Sequence, residues 1–263
     1  MNAETPKAAE LNLPQAFLLL ATNDQDGKPV VPVYALRTTV AGAILAELDL
    51  IGAIGLQGKH VRATGTAPQT DFQHELELIR GKSRPHTPKR WVSMLEGRAE
   101  VQRVYERMAA LGIVEHVGEK RLGVFRTVRY PEKDHAPEAA LLKKVQAALS
   151  GAPSDPVASG GEAPGPGAAE PTKPESSPSG PGTLEATAPE ASAPGAAKPD
   201  AKAPDARTTA LIALLQAAGL LGKLFPAADR SRVMVLTTGY WPSRAVEDEL
   251  RMIRLAEEEA ATL

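Results

Sequence analysis

Leu36, Val40, Ile44, Leu48 and Ile51 recur at helical spacing, and Ala43 and Leu45 widen the stripe. The pattern predicts a strongly apolar helix closed by Gly52, which sits where a C-terminal glycine belongs. Upstream, Pro14 stands where a helix starts, because its missing N–H costs nothing there, and Ala16 to Thr22 continue as a short apolar helix. Asn23 to Gly27 (NDQDG) reads as a turn, and Val30 to Tyr34 as an extended run broken by prolines, at most an edge strand. Ala53 to Thr66 alternates weakly around Gly58 and predicts a small hairpin. A helix from Asp71 to Ile79 would be capped by Thr70 or Asp71, and a loop follows from Gly81 to Pro88.

Lys89 to Leu111 reads as two helices meeting near Gly97. Ile113 to Val117, a GEK turn at Gly118 to Lys120, and Leu122 to Val128 read as the clearest hairpin. Pro137 to Leu149, Thr208 to Leu221 and Arg244 to Ala261 are further helices. Gly222 to Pro242 reads as irregular, with a short strand at Val233 to Leu236. The class is mainly α: a single globular domain with a central helix bundle and one or two small β-hairpins.

Composition divides the chain. From Ser150 to Ala206 it is built of Ala, Pro, Gly, Ser, Glu and Lys, and it holds 12 of the 23 prolines and no aromatic residue. Such a segment cannot bury enough apolar surface to offset the entropy of ordering. It predicts a disordered Pro/Ala/Gly-rich insert at 150–206, splitting one domain into parts 11–149 and 207–263 behind a flexible N-terminus at 1–10. The remaining residues, about 200, suffice for one ordinary core.

The net charge of −2 predicts neither a nucleic acid nor a membrane partner, so local patches must carry any such reading. Without cysteine there is no disulfide, thiolate chemistry or cysteine zinc site. Leu11 to Ala21 is too short and too interrupted to span a bilayer. The first ten residues lack the basic region of a secretory signal, and the usual lipidation patterns are missing.

Candidate chemistry is sparse. GAIGLQGKH at Gly52 to His60 misses the first glycine and the final hydroxyl of a phosphate loop, and reads as a turn between helix and hairpin. His60, His74, His86, His116 and His135 form no HxxxH or HxH pair and read as surface histidines; no metal and no cofactor is expected. No GxSxG-type signature is present. Glu47, inside the apolar helix, is a structural hydrogen-bond acceptor or a general base, and the structural role is favoured. Basic residues cluster at Arg80, Lys82, Arg84, His86, Lys89 and Arg90, just before Trp91, with Arg98, Arg103 and Arg107 beyond. The loop is either a solvated turn or an anion-binding surface; Trp91, opening a helical stripe with Met94 and Leu95, is assigned to the core. Helix followed by hairpin occurs twice, as in winged-helix proteins, so a nucleic-acid-binding regulator is the rival reading. Sparse basic residues on the first helix and its wing make nucleic acid the weaker partner.

Several blocks resemble the Golgi phosphoprotein 3-like family of peripheral membrane proteins, which has bacterial relatives. LNLPQAFLLL, DQDG and GAILAELDLIGAI are similar to its N-terminal half, with Gly42, Leu45, Glu47, Leu48, Leu50 and Gly52 on its G-x-x-L-x-E-L-x-L-x-G positions. Trp91 and Leu95 match its W-x-x-x-L helix start. LGIVEHVGEKRLGVFRTV, LLKKVQAAL and ALIALLQAAGLL are similar to its exposed hairpin and the helices that follow. The resemblance implies phosphatidylinositol 4-phosphate binding, contact with glycosyltransferase tails, and a hairpin serving membrane contact or homo-oligomerisation. The family's lipid site uses a Trp, an Arg nine positions later and two later Arg; those positions fall on Pro32, Ala41, Arg98 and Val101, so only Arg98 is kept.

The expectation is therefore a non-enzymatic, bacterial-type, cytoplasmic protein, peripheral on the cytoplasmic membrane face. Arg37, Arg98 and Arg103 would meet an anionic phospholipid or phosphoinositide headgroup. Leu122, Val124 and Phe125 on the hairpin would insert shallowly or meet a second protomer.

Overall fold

The computed structural model describes residues 11–65, 68–121, 125–151 and 205–261, with the backbone only at 119–121 and 125–127. Helix α1 (Leu13–Leu20) starts with a reciprocal cap: Asn12 Oδ1 accepts from Gln15 N at 3.0 Å, and Asn12 N donates to Gln15 Oε1 at 3.1 Å. Helix α2 (Val33–Leu50) is the axis of the bundle, buried on every face from Thr38 to Leu48. A helix apolar all round must be covered all round. It is covered by α1, by α4 (Pro88–Leu95), α5 (Arg98–Ala110), α7 (Ala206–Ala217) and α10 (Trp241–Ala261). At Gly42 the approach of α10 is tight: a Cβ there would lie 2.1 Å from Val246 Cγ2.

Gly52 ends α2 with φ 71°. Strands β1 (Ile54–Gln57) and β2 (His60–Ala63) follow as an antiparallel hairpin, Ile54 opposite Ala63 and Gln57 opposite His60. Helix α3 (Gln73–Gly81) packs against β2. Strands β3 (Val117–Arg121) and β4 (Phe125–Arg129) form a second hairpin, and α6 (Ala136–Ser150), α8 (Leu221–Leu224) and α9 (Arg230–Thr237) complete the order. The described residues fall in one compact unit. The mainly helical class with a central bundle and two hairpins is thus observed. Residues 1–10 and most of the predicted insert lie outside the described residues. At the insert's edges Ser150 ends α6, and Asp205 caps α7 by accepting from Thr208 N at 2.8 Å.

Four local expectations are corrected. Val33 and Tyr34 are the first turn of α2, not an edge strand, because Pro32 at the N-cap needs no N–H partner there. Helix α3 starts after Phe72, with no side-chain cap; Thr70 Oγ1 accepts instead from Phe72 N at 3.3 Å. Gly118 to Lys120 belongs to β3, whose register with β4 runs from Val117 opposite Arg129 to Arg121 opposite Phe125. Ile113 and Val114 are buried and held outside β3 by bonds to the 131–134 segment, which shifts the pairing along the chain. Val233 to Leu236 is helical in α9, because Asp229 caps it by accepting from Ser231 N at 2.8 Å and the helix packs on α7.

Candidate anion-binding surface

Lys and Arg side chains hold an anion when they converge without acids between them. Two separated segments of the chain are rich in such residues, and a backbone bond lays them side by side. Arg80 lies in the last turn of α3, and α4 starts after Thr87, whose Oγ1 accepts from Arg90 N at 3.4 Å. The loop between them is anchored inward by Trp91, which is buried as expected and meets the His86 ring edge-on at 5.5 Å. Its carbonyl at His86 accepts from Val61 N of β2 at 2.9 Å, which lays the loop alongside the first hairpin. Strand β2 alternates, with Val61 buried and His60 and Arg62 outside.

Residues 58–64 and 80–91 together carry Lys59, Arg62, Arg80, Lys82, Arg84, Lys89 and Arg90, and no Asp or Glu. All but Lys89 are exposed. Lys89 reaches Glu249 Oε2 of α10 at 4.0 Å. The other six make no ion pair among the described residues. Unbalanced charge of one sign raises the local potential even when the net charge is near zero.

The three sequence-predicted arginines do not form one cluster of free charges. Arg37, half-buried on α2, acts on Glu96 at the end of α4, whose Oε2 accepts from Thr38 Oγ1 at 2.7 Å. Burial pushes the Glu96 carboxyl above its usual range; the Thr38 bond and Arg37 pull it down, and Glu249 adds to the rise. Arg98 is exposed at the start of α5 and acts on Tyr130. Arg103 lies about 140° further round α5 than Arg98. It is held by Glu75 Oε1 at 2.5 Å and Glu100 Oε1 at 3.3 Å. That pairing lines a cleft of about 460 Å³ between α3 and α5, where Arg107 also pairs with Asp71 at 2.5 Å. Its four acids, Asp71, Glu75, Glu100 and Glu106, outnumber its two arginines, so the cleft does not suit an anion.

The positions where the family resemblance places other lipid contacts are mostly inside. Ala41 is 0% exposed and Val101 is buried on α5, while Pro32 is exposed. Leu122 and Val124 lie outside the described residues, and Phe125 opens β4. The winged-helix rival fares poorly: α2, the helix before the first hairpin, is buried and has no face for a groove. On α5, before the second hairpin, Arg103 and Arg107 are spent on acids.

Fold and surface together define a helical bundle with a cationic face, and no helix among the described residues is long and apolar enough to cross a membrane. The chain belongs to the Golgi phosphoprotein 3 (GPP34) family, whose profile matches residues 13–253. A search of curated proteins returns no match. Sequence reading finds the 80–90 run but misses Lys59 and Arg62. The Val61–His86 bond joins them to it, and the weak alternation around Gly58 was the signal of the strand that makes it.

Proposed function

We propose that this chain is a non-enzymatic peripheral protein that docks on an anionic phospholipid surface through the face formed by β2 and residues 80–90. The observation that carries the reading is the union of two acid-free basic segments by the Val61–His86 hydrogen bond. Each basic residue near an anionic leaflet contributes about 1 kcal/mol, so six unpaired cations give weak, reversible and salt-sensitive binding that avidity strengthens. The cytoplasmic leaflet, which carries the anionic lipids, is the matching surface.

Within this reading Arg98, exposed and without an ion pair, contributes to selection of a phosphoinositide such as phosphatidylinositol 4-phosphate. Arg37 supports it from α2. Arg103 contributes least, because Glu75 and Glu100 already offset its charge. The hairpin with Leu122, Val124 and Phe125 supplies shallow insertion or contact with a second copy, and protein tails of the glycosyltransferase type are the partner class the family suggests.

Co-sedimentation of the full chain with neutral phosphatidylcholine vesicles, and with vesicles containing phosphatidylserine or phosphatidylinositol 4-phosphate, tests the proposal. Binding is expected above neutral vesicles, falling with salt, and lost in the double variant Lys82→Glu/Arg84→Glu. Arg98→Ala is expected to remove a preference for the phosphoinositide while keeping binding to phosphatidylserine. Binding no stronger than to neutral lipid sinks the reading, and a DNA shift at matched salt without vesicle binding restores the nucleic-acid alternative.

A further inference from the structure

Away from the cationic face, the Asn23–Gly27 turn is pinned to the segment that leads into α6. Glu132 N donates to Asp24 O at 3.0 Å, and Tyr130 N donates to Gly27 O at 3.4 Å. Gly27 has φ 63°, and a Cβ there would lie 2.4 Å from Pro131 N, so the two backbones meet with no room for a side chain. Lys133 N and Asp134 N both donate to Ile113 O, at 2.8 and 3.2 Å, and Asp134 Oδ1 accepts from Ala136 N at 3.0 Å as α6 begins. This frame holds four side chains together: Asp24, Glu132, His135 and Glu138.

One ligand-type atom from each of Asp24, Glu132 and His135 lies within 4.8 Å of the others, and they are the one such group among the described residues. Glu138 stands within hydrogen-bond reach of both Asp24 and Glu132. The Glu132 side chain is 2% exposed. Its Oε2 faces His135 Nδ1, while its Oε1 is buried with no hydrogen-bond partner. A buried carboxylate oxygen without a donor is costly, and two further carboxylates beside it add repulsion rather than relief. The imidazole supplies at most one positive charge. The surface reading of the histidines is therefore incomplete for His135, which the fold brings to a carboxylate cluster.

We propose that Asp24, Glu132 and His135, with Glu138 completing the shell, bind a divalent transition cation of the Zn²⁺ class. One imidazole with carboxylates suits Zn²⁺ better than Ca²⁺ or Mg²⁺, which take oxygen ligands. Tetrahedral Zn²⁺ at about 2.0–2.1 Å from its ligands sets them about 3.3 Å apart, so small side-chain adjustments close the site, with Glu132 and His135, which are in direct contact, moving slightly apart. His135, 74% exposed in its side chain, is the ligand with the most room to adjust. A bound ion clamps the turn after α1 onto the start of α6. The competing way to relieve the crowding is a proton: burial first, then Asp24 and Glu132, push the Glu138 carboxyl up to about 7.

The test uses the untagged full chain, stripped with chelator and titrated with Zn²⁺, Mn²⁺ and Ca²⁺ by calorimetry, with melting followed in parallel. One saturable Zn²⁺ site is expected, with a rise in melting temperature of roughly 5–10 °C at hundredfold excess over Kd. Asp24→Asn and His135→Ala are each expected to weaken it at least tenfold. His135 is exposed, so its variant keeps the fold and carries the test if Asp24→Asn does not. No saturable binding overturns the proposal. So does Zn²⁺ binding unchanged in both variants (an adventitious ion only), or tighter binding of Ca²⁺ than of Zn²⁺. A stripped chain stabilised by Glu138→Gln yet indifferent to every cation assigns the cluster to a proton and also overturns it.

Discussion

Breaking the Glu47–Arg207 pair is expected to cost much of the fold's stability. Glu47 lies buried in the last turn of α2, and its Oε2 accepts from Leu13 N at 2.8 Å and from Arg207 Nη1 at 2.5 Å. Its Oε1 accepts from Arg207 Nη2 at 3.0 Å, so the guanidinium grips the carboxylate as a fork. One side chain thus ties the start of α1 and the first turn of α7 to the central helix, across 160 positions of sequence. Removing one partner of a buried pair costs about 3–5 kcal/mol, because the other charge stays behind. Arg207 is 30% exposed in its side chain and can turn toward water, so Glu47→Ala should fall near the lower end, about 3 kcal/mol. Arg207→Ala strands the deeper charge and should cost about 3–4 kcal/mol. Either loss is a large share of a typical total of about 5–15 kcal/mol. Urea unfolding of both single variants and the double variant, followed by far-ultraviolet circular dichroism, closes the cycle. A coupling of about 2 kcal/mol is expected. Losses that add to within about 0.5 kcal/mol would refute the argument, since they would mean that the fork contributes nothing as a pair.

Two further outcomes follow from packing and burial. Gly42→Ala gains about 1 kcal/mol of helix propensity but drives a methyl into Val246, so a net loss of about 1–2 kcal/mol is expected. Val246→Ala should cost less in that background than in the native one, as thermal melts of the four proteins will show. Asp49, whose Oδ2 accepts from Trp241 Nε1 at 3.2 Å, has its carboxyl raised above the usual 3.8, burial outweighing that bond. The folded chain therefore holds this proton longer than the unfolded one, so the group's contribution is fully present below 3.8 and is lost as pH rises through the folded value. Asp49→Asn should remove that slope; urea midpoints of both proteins across the acid range, showing the same slope, would contradict it.

The stripe from Leu36 to Ile51, closed by Gly52, read directly as a buried helix because period and burial are properties of one segment. The break at Gly97 and the buried Trp91 were legible for the same reason. Where neighbours decided, reading failed: Val233 to Leu236 has the composition of a strand, but Asp229 and the surface of α7 make it a helix. The hairpin shifted because Ile113 and Val114 were claimed by the core and by the 131–134 segment.

The candidate sites divide along the same line. The sequence alone determined the basic run from Arg80 to Arg90, because its charges are contiguous. Only the tertiary structure added Lys59 and Arg62 to that run, gave Arg103 to Glu75, and set Asp24 beside Glu132 and His135. Those are pairings between distant segments, fixed by which backbones the packed bundle brings together and not by any preference the residues carry locally.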